Sequence, residues 1–253
     1  MRHALDVASS ILVSSAALWR GTDAFRPAAR QPEQWLRLYE FESCPYCRVV
    51  REALTELDLD ALIQPCPKGG TRFRPTAKLL GGKTQFPFLH DPNTGARLYE
   101  SRDIVDYLAR TYDGRARASR GPARLLNLGA SMAASALRPL SGLRARASRA
   151  PERPLELYSF ESSPYSRLVR ETLCELELPY VLRNAGKGRW TDMGPPQIRD
   201  RVFKAAPDSG RNRKALFEHT GRVQFPYLID PNTGTGLFES ARIVDYLERT
   251  YAA

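Results

Sequence analysis

Two cysteines three positions apart, Cys44 and Cys47, stand inside "FESCPYCRVVRE", which begins at Phe41. The thiolate is the reactive form of cysteine, and free amides at a helix N-terminus, with the helix dipole, favour that anion. Such a place lowers a cysteine pKa from about 8.5 into the range ~3.5–7.5. Cys44 falls between a strand-like run and a helix-like run, so it is the expected attacking thiol. Cys47 lies one turn into the helix and reaches back as the buried resolving thiol, which expels a mixed-disulfide partner. Pro45 at the helix start costs little, because its missing amide would be unpaired there anyway. A metal pair or two core cysteines are the alternatives. Cys66 and Cys174 supply no second close pair, and His3, His90 and His219 do not have the spacing a zinc site requires, so no metal is expected.

The frame recurs. "FESSPYSRLVRE" begins at Phe160, with Ser163 in place of Cys44 and Ser166 in place of Cys47. Around it, "LRLYEFESCPYCRVVREALTELDL" from Leu36 matches "LELYSFESSPYSRLVRETLCELEL" from Leu155 without a gap. Further on, "QFPFLHDPNTGARLYESRDIVDYLARTY" from Gln85 matches "QFPYLIDPNTGTGLFESARIVDYLERTY" from Gln224. The second copy therefore carries about twenty extra residues, an insert expected to be loop near positions 190–210. A weaker match, "SSAAL" from Ser14 with "AASAL" from Ala133, gives each copy a leading segment of small residues with helical length.

Each copy yields one order of elements. "WLRLYEF" and "LELYSF" alternate like strands. Val49, Val50, Ala53, Leu54 and Leu57 form one face of a helix. A second strand, a short helix around Thr76 to Leu80, a hairpin closed by "DPNTG", and a helix opened by Ser101 as its cap follow. The order β-α-β-α-β-β-α is an α/β fold with helices over a sheet.

Two further pairs have a mechanism. Phe86-Pro87 precedes a strand, where a cis bond aims the Phe86 backbone at the thiol and leaves it free to bind an extended peptide. Glu100-Ser101 opens the last helix, where a hydroxyl and helix amides suit a carboxylate and Glu100 suits an ammonium group. An edge proline and a simple cap are the plainer alternatives. A ligand with an α-amino acid head, an extended peptide body and a thiol satisfies all three places.

These residues carry a resemblance. Both copies resemble the thioredoxin-fold N-terminal domain of glutathione transferases, with the "CPYC" stretch similar to dithiol glutaredoxins and "ESRDIVDYL" and "ESARIVDYL" to the transferases. The resemblance implies two tandem thioredoxin-like domains, 35–113 and 154–253, preceded by an N-terminal helical segment, 1–34, and joined by a basic helical connector, 114–153. It implies glutathione as ligand or co-substrate. Cys44 would meet the glutathione sulfur, with Cys47 behind it and Tyr46 beside it. Phe86 and Pro87 would hold its cysteinyl backbone, and Glu100 and Ser101 its γ-glutamyl end. Ser163, Tyr165, Phe225, Pro226, Glu239 and Ser240 match in the second copy. Transferases carry a large helical domain after this fold that holds the second substrate, whereas here the first copy runs into the connector and the second ends at Ala253. The expected function is therefore a glutathione-linked thiol-disulfide oxidoreductase with one redox-active module, acting on thiol or disulfide proteins. A transferase using Ser163 or Cys44, or a binding scaffold, is the alternative. Cys66 reads as a loop cysteine or an alternative disulfide partner, and Cys174 as core.

Composition bounds the rest. The chain has 253 residues and a net charge of +10. No run approaches the ~20 apolar residues of a membrane span. A signal peptide is disfavoured because Asp6 interrupts the approach to the apolar stretch and a similar segment recurs in mid-chain, so a cytoplasmic location is expected. Nine arginines crowd the stretch from Asp113 to Pro154, but no aromatic accompanies them, so a solvated connector is expected rather than a nucleic-acid surface. The modules are expected to pack through their small-residue helices about an approximate two-fold axis. The oligomeric state is left open.

Overall fold

The computed structural model describes residues 2–114, 129, 140–192 and 209–253. Helix α1 (Arg2–Ala16) leads into the first module: β1 (Leu36–Glu40), α2 (Pro45–Glu56), β2 (Ala61–Pro65), α3 (Arg74–Gly81), β3 (Phe88–Asp91), β4 (Ala96–Tyr99) and α4 (Ser101–Leu108). The second repeats it: β5 (Leu155–Ser159), α5 (Pro164–Glu175), β6 (Tyr180–Asn184), α6 (Arg211–Thr220), β7 (Tyr227–Asp230), β8 (Thr235–Phe238) and α7 (Ser240–Tyr251). Most of the expected insert lies outside the described residues; its first turn is a 3-10 helix, Trp190–Asp192.

The strands form one sheet, in the order β4-β3-β1-β2-β6-β5-β7-β8. The modules join where β2 meets β6 antiparallel, with Ala61 opposite Leu182, Leu62 opposite Val181 and Ile63 opposite Tyr180. Leu62 and Val181 occupy the same place in the two copies, so a pseudo-two-fold axis passes through their pairing. Alone, β2 and β6 would each be an apolar edge with unpaired backbone groups, and pairing removes both edges. One hydrophobic core runs through both halves, from Leu38, Val50 and Leu54 to Leu157, Val169 and Leu173.

This differs from packing through the small-residue helices. The first such helix, α1, lies on α5 of the second module, where Ser10 Oγ donates to the Pro164 carbonyl at 2.8 Å and Ser14 Oγ to that of Ser162 at 2.7 Å. The second such segment lies outside the described residues. The chain that follows each is threaded across the partner module. Lys187 N donates to the Thr22 carbonyl at 2.9 Å, and Lys68 N to the Leu143 carbonyl at 2.6 Å. Gly21 and Gly142, both at φ 70°, make the crossings. A Cβ on either would sit 2.7 Å from Cβ of Glu161 or Glu42 respectively, so the close approach needs glycine. The described part of the connector, 140–153, is turn and extended chain rather than helix.

The "DPNTG" turns also tie down the last helices. Asp91 accepts from Tyr107 Oη at 2.6 Å and Tyr112 Oη at 2.5 Å, and Asp230 accepts from Tyr246 and Tyr251 at 2.7 and 2.6 Å. Burial opposes the charge of Asp91, but these bonds and those from Asn93 hold its carboxyl below the usual range. They fix α4 and α7 against the hairpins, and so place the helix starts at the end of the sheet where the candidate site lies.

Candidate functional site

Register brings the site together. Tyr39, Phe88 and Tyr99 lie side by side on β1, β3 and β4. The end of β1, the start of β3 and the end of β4 therefore open at one edge of the layer, and Cys44, Phe86-Pro87 and Glu100-Ser101 follow or precede them by only a few residues.

Cys44 is the N-cap of α2, and its sulfur accepts from Cys47 N at 3.3 Å. Cys44 is 4% exposed and Cys47 fully buried. A hydrogen bond from the Cys47 thiol, opposed by burial and helped by the amides of Cys47 and Tyr46 and the charge of Arg51, lowers the Cys44 pKa to about 7. Burial, then the neighbouring Cys44, pushes the Cys47 thiol well up. One sulfur is thus a thiolate near neutral pH and the other its proton-bearing partner. Tyr46 is half exposed beside them.

The Phe86-Pro87 peptide is cis. The Phe86 ring meets the Phe41 ring edge-on at 6.3 Å, and the Arg74 guanidinium lies 5.0 Å from its centre. Glu100 has φ 63°, a left-handed value rare for a side chain of this size, and its carboxylate accepts from Gln85 Nε2 at 2.5 Å. Such outliers collect at functional sites. Glu100 itself is the N-cap of α4, without a side-chain cap bond. Ser101 is the first helical residue rather than the cap expected for it, which leaves its hydroxyl to the site.

The second module repeats this frame with a different occupant. Ser163 caps α5 and accepts from Ser166 N at 3.2 Å. Phe225-Pro226 is cis, Phe225 meets Phe160 at 5.7 Å, Arg213 lies 5.1 Å from Phe225, and Glu239 has φ 71° and accepts from Gln224. Tyr165 is half exposed like Tyr46, but Ser163 and Ser240 are buried. Helix α1 covers them: His3 Nε2 lies 3.4 Å from Ser240 Oγ. The buried Ser166 hydroxyl has no hydrogen-bond partner among the described residues. A thiol tolerates that position better than a hydroxyl. Ser166→Ala is therefore expected to be neutral or stabilising by up to ~1 kcal/mol in urea unfolding; a clear loss of stability would show a partner for that hydroxyl.

The other cysteines stand apart. Cys66 packs with Tyr39, Ala77 and Phe88 in a cluster separate from the core under α2, and burial raises its pKa strongly. Cys174 is buried on α5, accepting from Glu42 N at 3.4 Å and donating to the Gly142 carbonyl at 3.3 Å. All four thiols are free.

The helix pattern alone misses the charged residues behind the loop. Arg51 bonds Glu40, Glu42 and Glu161, and Arg170 bonds Glu42 and Glu161, so each module's arginine binds the other module's "FES" glutamate. Helix α2 is consequently buried on its polar side too, where Arg48, Arg51, Glu52 and Thr55 are covered. The available signal was that "FES" and "VRE" are kept in both repeats, although neither strand nor helix formation needs them. Arg74, Arg213 and His3 were missed as well.

The profile of the glutathione S-transferase N-terminal domain matches residues 38–116 and again 157–253. The chain belongs to that family. It holds two tandem copies of the family's domain. Among curated proteins, no sequence matches. Among solved structures, a Bombyx mori glutathione transferase, BmGSTD1, is 28% identical over 34% of this chain and 39% of its own, with a TM-score of 0.31. TDR1 of Leishmania, a trimeric glutathione transferase, is 13% identical over 87% of this chain and 67% of its own, with a TM-score of 0.29. This chain thus spans well under half the length of the Bombyx mori protein. Among the described residues, no helix is long and apolar enough to cross a membrane, and no group of side chains could hold a metal ion.

Proposed function

We propose that the chain is a glutathione-dependent thiol-disulfide oxidoreductase whose redox chemistry is confined to the first module. The observation that carries this is the pair of sulfurs at the start of α2, with Cys44 poised near pKa 7 over a buried, protonated Cys47. Cys44 attacks the sulfur of a substrate disulfide, a mixed disulfide forms, and either glutathione or Cys47 resolves it. Phe86 and Pro87 hold the peptide backbone of glutathione, and Glu100, Ser101 and the α4 amides hold its γ-glutamyl end. Tyr46 closes the side. Four free thiols fit a reducing compartment such as the cytoplasm.

The second module keeps the ligand frame of Phe225, Pro226, Glu239 and Ser240, but α1 lies over Ser163 and Ser240. Ser240 is buried beside His3 whereas Ser101 is only part-buried, which disfavours glutathione, and so a transferase working through Ser163, at the second module. On this reading the full chain binds glutathione at module one.

The test is reduction of a glutathione mixed disulfide by the full chain, coupled to glutathione reductase. Wild type is expected to turn over. Cys47→Ser is expected to keep part of this activity, since glutathione itself can resolve the Cys44 adduct, while losing reduction of protein disulfides. Wild-type protein with no turnover overturns the proposal, and conjugation of an electrophile to glutathione that survives Cys44→Ser but is lost in Ser163→Ala assigns the transferase alternative.

A further inference from the structure

The two copies differ at four positions between Tyr39 and Glu52: Glu40 against Ser159, Cys44 against Ser163, Cys47 against Ser166, and Val49 against Leu168. Leaving the conservative Val/Leu exchange aside, the copy with two sulfurs has one additional carboxylate, and the copy without them has a serine there.

That carboxylate is unbalanced. Glu40, Glu42, Arg51, Glu161 and Arg170 are all buried, the most exposed at 7%. Glu42 and Glu161 are equivalent in the two copies, as are Arg51 and Arg170, and these four neutralise one another. Arg48 also comes within 4.0 Å of Glu161 but is matched by Glu52 at 3.0 Å, so Glu40 leaves the cluster one negative charge in excess. Its counterpart Ser159 accepts from Arg170 Nη1 at 3.3 Å through a neutral hydroxyl. A buried excess charge is costly, and the usual remedy is uptake of a proton.

Glu40 also faces the sulfurs. It ends β1 on the side covered by α2, paired to Arg51. Cys47 is one helical turn before Arg51, on the same face of α2. Cys44 N donates to the Phe41 carbonyl at 3.1 Å, which turns the chain straight after Glu40 back onto the start of α2. The charged and titratable groups that act on Glu40 are Arg51 from α2, Glu42 and Cys44 from its own loop and Glu161 from the second module; Cys66, Cys174 and Tyr180 sense it from β2's end, α5 and β6. Burial, opposed by Arg51 and reinforced by Glu42 and Glu161, raises its carboxyl to about 7.

We infer that Glu40 is the proton acceptor for Cys47. This rests on the dithiol chemistry proposed above. With Cys44 held in a mixed disulfide, the Cys47 S–H proton passes to the Glu40 carboxylate. The Cys47 thiolate attacks the Cys44 sulfur, the Cys44–Cys47 bond forms, and the bond to the partner sulfur breaks. The partner leaves as a thiolate, reduced by the electron pair it takes with it, and both protein sulfurs are now oxidised. The transfer creates no new charge inside the cluster, and departure of the thiolate removes the excess one. Module two has no thiol to deprotonate and no carboxylate at this place.

The experiment uses the full chain and dithiobis(nitrobenzoate), so it does not depend on glutathione. The first thionitrobenzoate released reports attack by Cys44, and the second reports attack by Cys47. In wild type the second release is expected to rise with pH through a step near 7. In Glu40→Gln that step disappears and the second release slows by at least about a hundredfold, the lower end of general-base effects, while the first changes by less than about threefold. Glu40→Ser, which copies the second module, is expected to behave alike and guards against misfolding of the glutamine variant. A carbonyl-stretch infrared band of a protonated buried carboxyl that titrates near pH 7 is expected in wild type and missing from both variants, where the buried Glu52 and Asp58, the latter titrating near 6, still contribute theirs. An unchanged pH profile for the second release, equal slowing of both releases, or no such band overturns the inference. Failure of wild type to reduce glutathione mixed disulfides would instead strike the oxidoreductase proposal and leave the two-release measurement readable.

Discussion

Cys44→Ser is expected to abolish disulfide reduction by the full chain, the largest effect of any single change at the site. A serine hydroxyl does not ionise near neutral pH, so no nucleophile replaces the thiolate. The second module does not compensate, because Ser163 and Ser166 already stand where the sulfurs would be. In wild type, alkylation of Cys44 by iodoacetamide should follow a midpoint near pH 7, the value set by Cys47, the helix amides and Arg51. Relative to an ordinary thiol at pH 7, that shift raises the thiolate fraction by about fifteenfold and lowers its intrinsic nucleophilicity by about fivefold, a net gain of only about threefold. Speed of attack is therefore a minor product of the shift. Its main consequence is division of labour: Cys44 is ionised while Cys47 holds its proton until a mixed disulfide has formed. A midpoint near 8.5, or full activity in Cys44→Ser, would contradict this.

Much of the fold was legible because the sequence states it twice. The alternation of "LRLYEF", the helical face of Val50, Ala53 and Leu54, and the "DPNTG" turn recur in register. The site was legible for the same reason, since Cys44, Phe86-Pro87 and Glu100-Ser101 sit at fixed offsets from strand ends. What periodicity does not encode is the partner of a face. Leu62 and Ile63 read as a buried strand whether they pair within a module or across two, so the continuous sheet was invisible. Arg51 reads as the solvent side of an amphipathic helix, yet it is buried against a glutamate 110 positions away. The expectation that small-residue helices join the modules captured only part of the contact: α1 does pack on the other module, but the β2–β6 pairing also joins them. Ser10 and Ser14 do permit close approach, but to the loop and helix of the other module's site.

Breaking the buried ion cluster is expected to have the largest effect on stability. Arg51→Met leaves Glu40, Glu42 and Glu161 with Arg170 as their main cation, and losing one partner of a buried pair costs ~3–5 kcal/mol. Glu161→Gln should cost somewhat less, because Arg51 retains Glu40 and Glu42. Since these residues touch, the double variant should be less destabilised than the sum of the single ones. The core is continuous across the modules, so wild type is expected to unfold in a single transition in urea. The cluster also sets a pH dependence. Although burial opposes its charge, Arg170, Arg51 and Arg48 hold the Glu161 carboxyl down to about 2 from 4.5, so its contribution is fully present above pH 4.5 and is lost as pH falls toward 2. Glu40 has the opposite sign: raised to about 7 from 4.5, it binds a proton in the folded state that the unfolded chain has released, so stability falls as pH rises between those values. Asp58, raised to about 6 by burial against the opposing charge of Arg211, adds to that fall. Each glutamate shift is worth on the order of 3 kcal/mol across its window. Stability should therefore peak near pH 4.5–5 and decline toward neutrality. Glu40→Gln should flatten the decline above the peak, and Glu161→Gln the loss below it. Urea midpoints measured from pH 3 to pH 8 decide the matter: a profile that rises from pH 5 to pH 7 in wild type would mean that Glu40 is ionised throughout and that the cluster carries its excess charge unprotonated.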